Sequence, residues 1–244
     1  MFKNTKMLTV ILILVTAILF FTWGIISAHY KIFPFQQLRQ ALAFVTGKDL
    51  DEKDSFFQQA YWKDRISIFS SSQATAKIIM IGDSITDHTE WHELFPGVSI
   101  LNRGINGDTT LGVAHRLESI IATTPDTTFI MLGINDIAHN MPVEDILKNY
   151  IFIITELKAH NINPIIQSTL YVSGKFENSQ QLNPKVKQLN TLLKDYADKN
   201  GLIYIDLNEL MSSNEALRDD LTNDGIHING AGYQLWKIAI EKYI

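Results

Sequence analysis

Five short apolar runs, at residues 77–81, 98–101, 129–132, 164–168 and 202–205, alternate with longer segments whose apolar residues recur every three or four positions. Short apolar runs bounded by turn residues read as strands buried on both faces, and the longer recurrence reads as amphipathic helix. A strand apolar on both faces needs helices above and below it. Strands that alternate with helices are joined by right-handed crossovers and so run parallel. The pattern therefore predicts an α/β fold: a three-layer α/β/α sandwich around a five-stranded parallel sheet.

Helical spacing predicts helices over 56–69, 110–121, 186–197 and 231–243, and a longer one opened by Pro142. Asp108 or Thr109 is placed to cap the second of these, with Leu111, Ala114, Leu117 and Ile121 sharing a face. The helix after Pro142 carries a stripe of Ile146, Tyr150, Ile153 and Leu157. Hydrophobic residues make up 46% of the chain, enough to fill both faces of such a sheet.

In sheets of this kind ligands bind beyond the carboxyl ends of the strands. Polar residues gather there in four clusters: Gly-Asp-Ser-Ile at 82–85, Gly-Ile-Asn-Gly-Asp-Thr at 104–109, Gly-Ile-Asn-Asp at 133–136 and Asp-Gly-Ile-His at 224–227. Singly, each is ordinary turn or helix-cap chemistry. Together, in this order on one edge of the sheet, they suit nucleophilic catalysis. A serine hydroxyl needs a base to take its proton, and Ser84 with His227 supplies the pair. Asp224, three residues before His227, is close enough to hold the ring and stabilise the imidazolium. No Gly-x-Ser-x-Gly elbow surrounds Ser84, which argues against the α/β-hydrolase arrangement.

The four clusters resemble the consensus blocks of the SGNH (GDSL-type) hydrolases. The resemblance runs from about residue 77 to the C-terminus through Trp91, Asn102-Arg103-Gly104 and Gly107-Asp108-Thr109-Thr110. It is nearest to the branch containing the catalytic subunits of platelet-activating-factor acetylhydrolase and related bacterial esterases. It implies a flavodoxin-like fold and a serine esterase working through an acyl-enzyme on Ser84, with no metal or organic cofactor. It assigns the oxyanion hole to the backbone N–H groups of Ser84 and Gly107 and the side-chain amide of Asn135. The branch also implies a short acyl group, such as an O-acetyl ester on a sugar. A lysophospholipase or thioesterase is the alternative within enzymes. Acyl transfer to a sugar hydroxyl, or a catalytically inactive binding module, are the others.

Glycine at 107 has a physical reason, since a side chain there would keep the backbone from a substrate oxygen. His88, one helical turn beyond Ser84, and Arg103 are expected as further substrate contacts, though bracing the turn is the plainer role for Arg103. Asp83 and Asp136 are expected to bond nearby backbone. Trp91 and Phe95 read as core or pocket wall. The polar stretch 171–184 is long for a connection and is expected to shape a pocket.

Other chemistries find little support. Cysteine is absent, which removes disulfides, thiolate metal sites and a cysteine nucleophile. His88 and His92 stand four apart, but the pattern is not His-Glu-x-x-His and no third ligand accompanies it. Gly104 to Gly107 is not followed by the Gly-Lys-Ser/Thr of a phosphate loop. At a net charge of −5 and with no basic face, a nucleic-acid partner is not expected.

Lys3 and Lys6 precede an uncharged apolar run at residues 7–28. As a helix it spans roughly 33 Å, about the thickness of a bilayer's hydrocarbon layer. It is read as one N-terminal transmembrane anchor, residues 1–28, followed by a juxtamembrane linker at 29–54 and the hydrolase domain at 55–244. A cleaved signal peptide is the alternative, although Ile26-Ser27-Ala28 is a poor cleavage site. Lys3 and Lys6 favour an inside N-terminus and an extracytoplasmic catalytic domain; Lys31 and Arg39 on the far flank weaken that asymmetry.

Overall fold

The computed structural model describes residues 60–244 and, before them, Thr16 alone. The anchor and linker expected at 1–28 and 29–54 otherwise lie outside the described residues. Among the described residues no helix is long and apolar enough to cross a membrane.

Helix α1 (Ala60–Ser71) leads into β1 (Ile78–Gly82), two short helices α2 (Ser84–Asp87) and α3 (Trp91–Leu94), and β2 (Ile100–Gly104). Then come α4 (Thr110–His115), α5 (Leu117–Ile121), β3 (Thr127–Met131), α6 (Ile134–Ala138), α7 (Val143–Ala159), β4 (Asn163–Gln167), α8 (Ser179–Asn200) and β5 (Tyr204–Ile205). The chain ends with α9 (Asn208–Met211), a small hairpin of β6 (Ser212–Ser213) and β7 (Ala216–Leu217), and α10 (Gly230–Ile240). The five long-range strands pair in parallel in the order β2-β1-β3-β4-β5. The direction of winding reverses between β1 and β3, the switch point at which such sheets open a crevice. The register aligns Gly82 with Gly104 on one side and with Met131 on the other, so three strands end side by side there.

Alternation along the strands divides the core. Ile79, Ile81 and Ile130 pack with Val113, Ile146, Tyr150, Ile153, Leu157 and Val186 on one face. Met80, Phe129 and Met131 pack with Trp91, Met211 and Trp236 on the other. Both faces are closed, as strands apolar on both sides require. The expected stripe of α7 is buried throughout.

Several expectations are corrected. Asn102-Arg103-Gly104 is the end of β2 rather than a turn. The strand tolerates Asn102 because its amide donates to the carbonyls of Thr86, Asp87 and Thr89 at 3.0, 3.1 and 3.0 Å. The helix expected over 110–121 breaks at Arg116 (φ −110°) into α4 and α5. The break rotates the buried face to Val113, Leu117 and Ile120 and leaves Leu111 exposed. Helix α8 begins at Ser179, with Pro184 inside it, so the loop expected over 171–184 is shorter. Buried Asn183 ties that loop down, its amide donating to the Val172 carbonyl at 2.9 Å and its oxygen accepting the Val172 N–H at 3.0 Å. Helix α9 and the β6–β7 hairpin were not expected; two-residue strands carry too little alternation to be read.

Candidate active site

The site begins where β1 ends. Asp83 caps α2, its Oδ1 accepting the Ile85 N–H at 3.0 Å, which sets Ser84 as the first residue of the helix. Ser84 is 5% exposed. Asp83 is fully buried and its Oδ2 has no hydrogen-bond partner. Burial pushes its carboxyl up to about 7.

The C-terminal cluster comes back to this point through α10. The Tyr233 hydroxyl donates to the Ile85 carbonyl at 2.7 Å, and the Trp236 indole donates to Gln167 Oε1 at 2.6 Å. The loop before α10 is held by the Ser173 N–H, which donates to the Gly225 carbonyl at 2.7 Å. His227 Nε2 then lies 2.9 Å from Ser84 Oγ, and His227 Nδ1 lies 2.6 Å from Asp224 Oδ2. Asp224 Oδ1 accepts the backbone N–H groups of Ile226 and His227 at 3.0 and 2.8 Å. Partial burial pushes the Asp224 carboxyl up. The His227 ring and the two backbone donors outweigh it, holding the group well below the usual carboxylate range. An ionised Asp224 can only accept, so the ring proton belongs on Nδ1 and Nε2 is left free to accept from Ser84.

The second and third clusters follow the ends of β2 and β3, the strands on either side of β1. Gly107 sits at φ +76°, in a conformation that favours glycine. Its neighbour Asp108 is buried and paired with Arg116, Oδ2 to Nε 2.7 Å, with neither side chain exposed. Arg116 Nη2 also donates to the Arg103 carbonyl at 2.8 Å. Asn135, in α6, donates one amide hydrogen to the Asp108 carbonyl at 2.9 Å, fixing the plane of the amide and leaving a second hydrogen. Asp136 accepts the Thr110 N–H and hydroxyl at 3.1 and 2.6 Å, joining the third cluster to the second. Asp83 and Asp136 thus bond nearby backbone, the role expected for them.

Of the two expected substrate contacts, one is at the site. The His88 ring centroid is 4.8 Å from that of His227, and His88 borders a groove of about 480 Å³ lined also by Thr89, Glu90, Glu93, Gln234 and Lys237. Arg103 is not at the site and takes the plainer of its two expected roles, bracing. It is 5% exposed, its guanidinium lies 4.5 Å from the Phe69 ring centroid, and Nη1 donates to the Asn102 carbonyl at 3.0 Å. Trp91 and Phe95 are core. His88 and His92 are not on one helix, since α2 ends at Asp87 and α3 starts at Trp91. Among the described residues no group of three side chains is arranged to hold a metal ion.

The buried Arg116–Asp108 pair escaped the sequence reading. A guanidinium among Val113, Leu117 and Ile120, in an otherwise apolar face, was the available signal.

The family model described as GDSL-like Lipase/Acylhydrolase matches residues 80–235, a span holding all four clusters. A solved Streptococcus pneumonia structure, provisionally described as a platelet activating factor, superposes with a TM-score of 0.65 at 25% identity, covering 84% of this chain and 98% of that one. The acetylxylan esterase of Geobacillus stearothermophilus is 23% identical over 61% of this chain and 73% of its own length. An N-acylneuraminate cytidylyltransferase of Streptococcus agalactiae serotype V is 23% identical over 76% of this chain; the match spans only 42% of that protein's length.

Proposed function

The chain belongs to the GDSL-like lipase/acylhydrolase family, and on that premise we propose that it is a serine esterase removing short acyl groups, acetyl foremost, from carbohydrate. The observation that carries the reading is the continuous relay from Asp224 through His227 to Ser84, at 2.6 and 2.9 Å. In the reaction Ser84 Oγ attacks the ester carbonyl as His227 Nε2 takes its proton. The oxyanion is met by the backbone N–H groups of Ser84 and Gly107 and the free amide hydrogen of Asn135. Collapse expels the alcohol, which takes the proton from His227 and leaves an acyl group on Ser84. Water then attacks, giving its proton to His227; as the acyl–Oγ bond breaks, Ser84 Oγ takes that proton back from His227 and the acid is released.

Support for a sugar alcohol is chemical. The groove beside His88 sets the carboxylates of Glu90 and Glu93, the Gln234 amide and the Lys237 ammonium beside Leu94, Pro96 and Tyr233, a mixture that suits a sugar ring with hydroxyl edges and apolar faces. Acetylxylan and N-acylneuraminate, in the names of two relatives, are both carbohydrates. The apolar run at residues 7–28 supports membrane tethering with the domain outside the cytoplasm.

Labelling with a fluorophosphonate, native chain against Ser84→Ala, tests the nucleophile, and release of acetate from acetylated xylo-oligosaccharides tests the substrate. A native chain that does not label ends the esterase reading. Activity that rises steadily from acetyl to long-chain nitrophenyl esters would replace the sugar by a lipid.

A further inference from the structure

Helix α1 precedes the matched family span, and its apolar contacts form a small cluster of their own, Trp62 and Phe69 against Ile105. Its polar contacts are directed at the catalytic loops. The Trp62 indole donates to Asp108 Oδ1 at 3.1 Å, in a buried bond. Arg65 Nη2 donates to Asp87 Oδ1 at 2.9 Å, and the Tyr61 hydroxyl donates to Asp87 Oδ2 at 2.6 Å. Asp87 closes the nucleophile's helix, and its Oδ2 also accepts the Asn106 N–H at 3.2 Å.

Gly107 therefore lies between two residues, Asn106 and Asp108, each tied to α1. Asn106 is held through the Asp87 carboxylate and Asp108 directly by Trp62. Asp108 in turn holds Asn135 by its carbonyl. We infer that α1 clamps the oxyanion loop, with Trp62 and Arg65 as positioning residues that keep the Gly107 N–H and the Asn135 amide aimed at the developing charge. The inference rests on the reading of those two groups as oxyanion donors. The loop has ties of its own, the Asp108 N–H to the Ile105 carbonyl at 3.0 Å and the Asp108 carboxylate to Arg116, and α1 adds one on each side of the glycine at φ +76°. The clamp supplies the fixity that a preorganised donor needs.

The test uses the full chain and nitrophenyl acetate. Misplacing a reacting group by about 1 Å can cost ~10²-fold, so a partly loosened loop in Trp62→Phe or Arg65→Met should lose about tenfold in kcat, with KM within about twofold. Arg65→Lys, which still reaches Asp87 with a cation, should recover most of it. The decisive measurement is repetition in an Asn135→Ala background. Residues acting on one hole are non-additive, so the loss from Trp62→Phe should shrink to about threefold or less. An unchanged kcat in Trp62→Phe and Arg65→Met, or the same full loss in both backgrounds, overturns the clamp; the latter marks general loosening. Should Trp62→Phe fail to fold, the Arg65 pair carries the same comparison. A native chain with no esterase activity sinks the reading and the clamp together, whereas an active chain indifferent to these changes sinks the clamp alone.

Discussion

Ser84 Oγ and His227 Nε2, 143 residues apart in the chain, lie 2.9 Å from each other. Nothing local brings them together. The meeting depends on Asp83 capping α2 at one end and on Tyr233 bonding the Ile85 carbonyl at the other. Asp224 completes the pair by fixing which ring nitrogen carries the proton.

Asp224→Asn keeps the shape and removes the charge that selects this tautomer. We expect kcat to fall on the order of 10³- to 10⁴-fold with the fold intact. Turnover of nitrophenyl acetate beside a circular-dichroism melt measures both. Near-native turnover would mean that His227 needs no partner.

Gly104 ends β2 directly beneath the nucleophile's helix. A Cβ added there would stand 2.3 Å from the Asp87 backbone nitrogen and 2.7 Å from the Thr86 carbonyl carbon, and neither can step aside as a side chain would. Gly104→Ala should therefore push α2 outward, costing about 1–3 kcal/mol in stability as overpacking does. Activity should drop further than stability, because Ser84 moves with the helix. A Gly104→Ala chain with native melting and native kcat would contradict this placement.

The Arg116–Asp108 pair has no solvent on either side chain. Arg116→Met leaves Asp108 buried with its cation gone, a change that costs about 3–5 kcal/mol in comparable pairs. Urea denaturation gives the number. A loss under about 1 kcal/mol would show that the carboxylate finds another partner or water.

Asp83 sets a pH dependence of stability. Its carboxyl is near 7 in the folded chain against 3.8 ordinarily. Between those values the folded state holds a proton that the unfolded state has released. The contribution is full below about 4, declines as pH rises, and is gone above about 7. Asp136, raised to about 6 by burial, acts in the same direction. Asp224 acts oppositely: its depressed value adds stability above the ordinary carboxylate range that is lost on acidification. Urea midpoints measured across pH 4 to 8 should fall less steeply for Asp83→Asn than for the native chain. Parallel curves for the two would remove Asp83 from the account.

The layered fold was legible because every core strand is apolar on both faces, a pattern few other arrangements accommodate. The Asp224–His227–Ser84 contacts were legible for a different reason: Asp224 and His227 are three residues apart, and Ser84 opens a helix just past the end of a strand. The end of β2 was not, since Asn102 and Arg103 are polar residues in a strand, and what accommodates them is distant in sequence: the carbonyls of Thr86, Asp87 and Thr89 for Asn102 and the Phe69 ring for Arg103. The break at Arg116 was hidden because helical spacing continues through it, while the Arg116 side chain is held by a carboxylate eight residues earlier. The contacts of α1 join residues 46 and 22 positions apart, and no periodicity records such pairings.

Asp224 and His227 share one short turn, bound to each other through both ring and backbone. Whatever shifts that turn carries the base and its anion away as a unit. On the proposed mechanism, a displacement of that turn would therefore remove the base and the anion that orients it in one step.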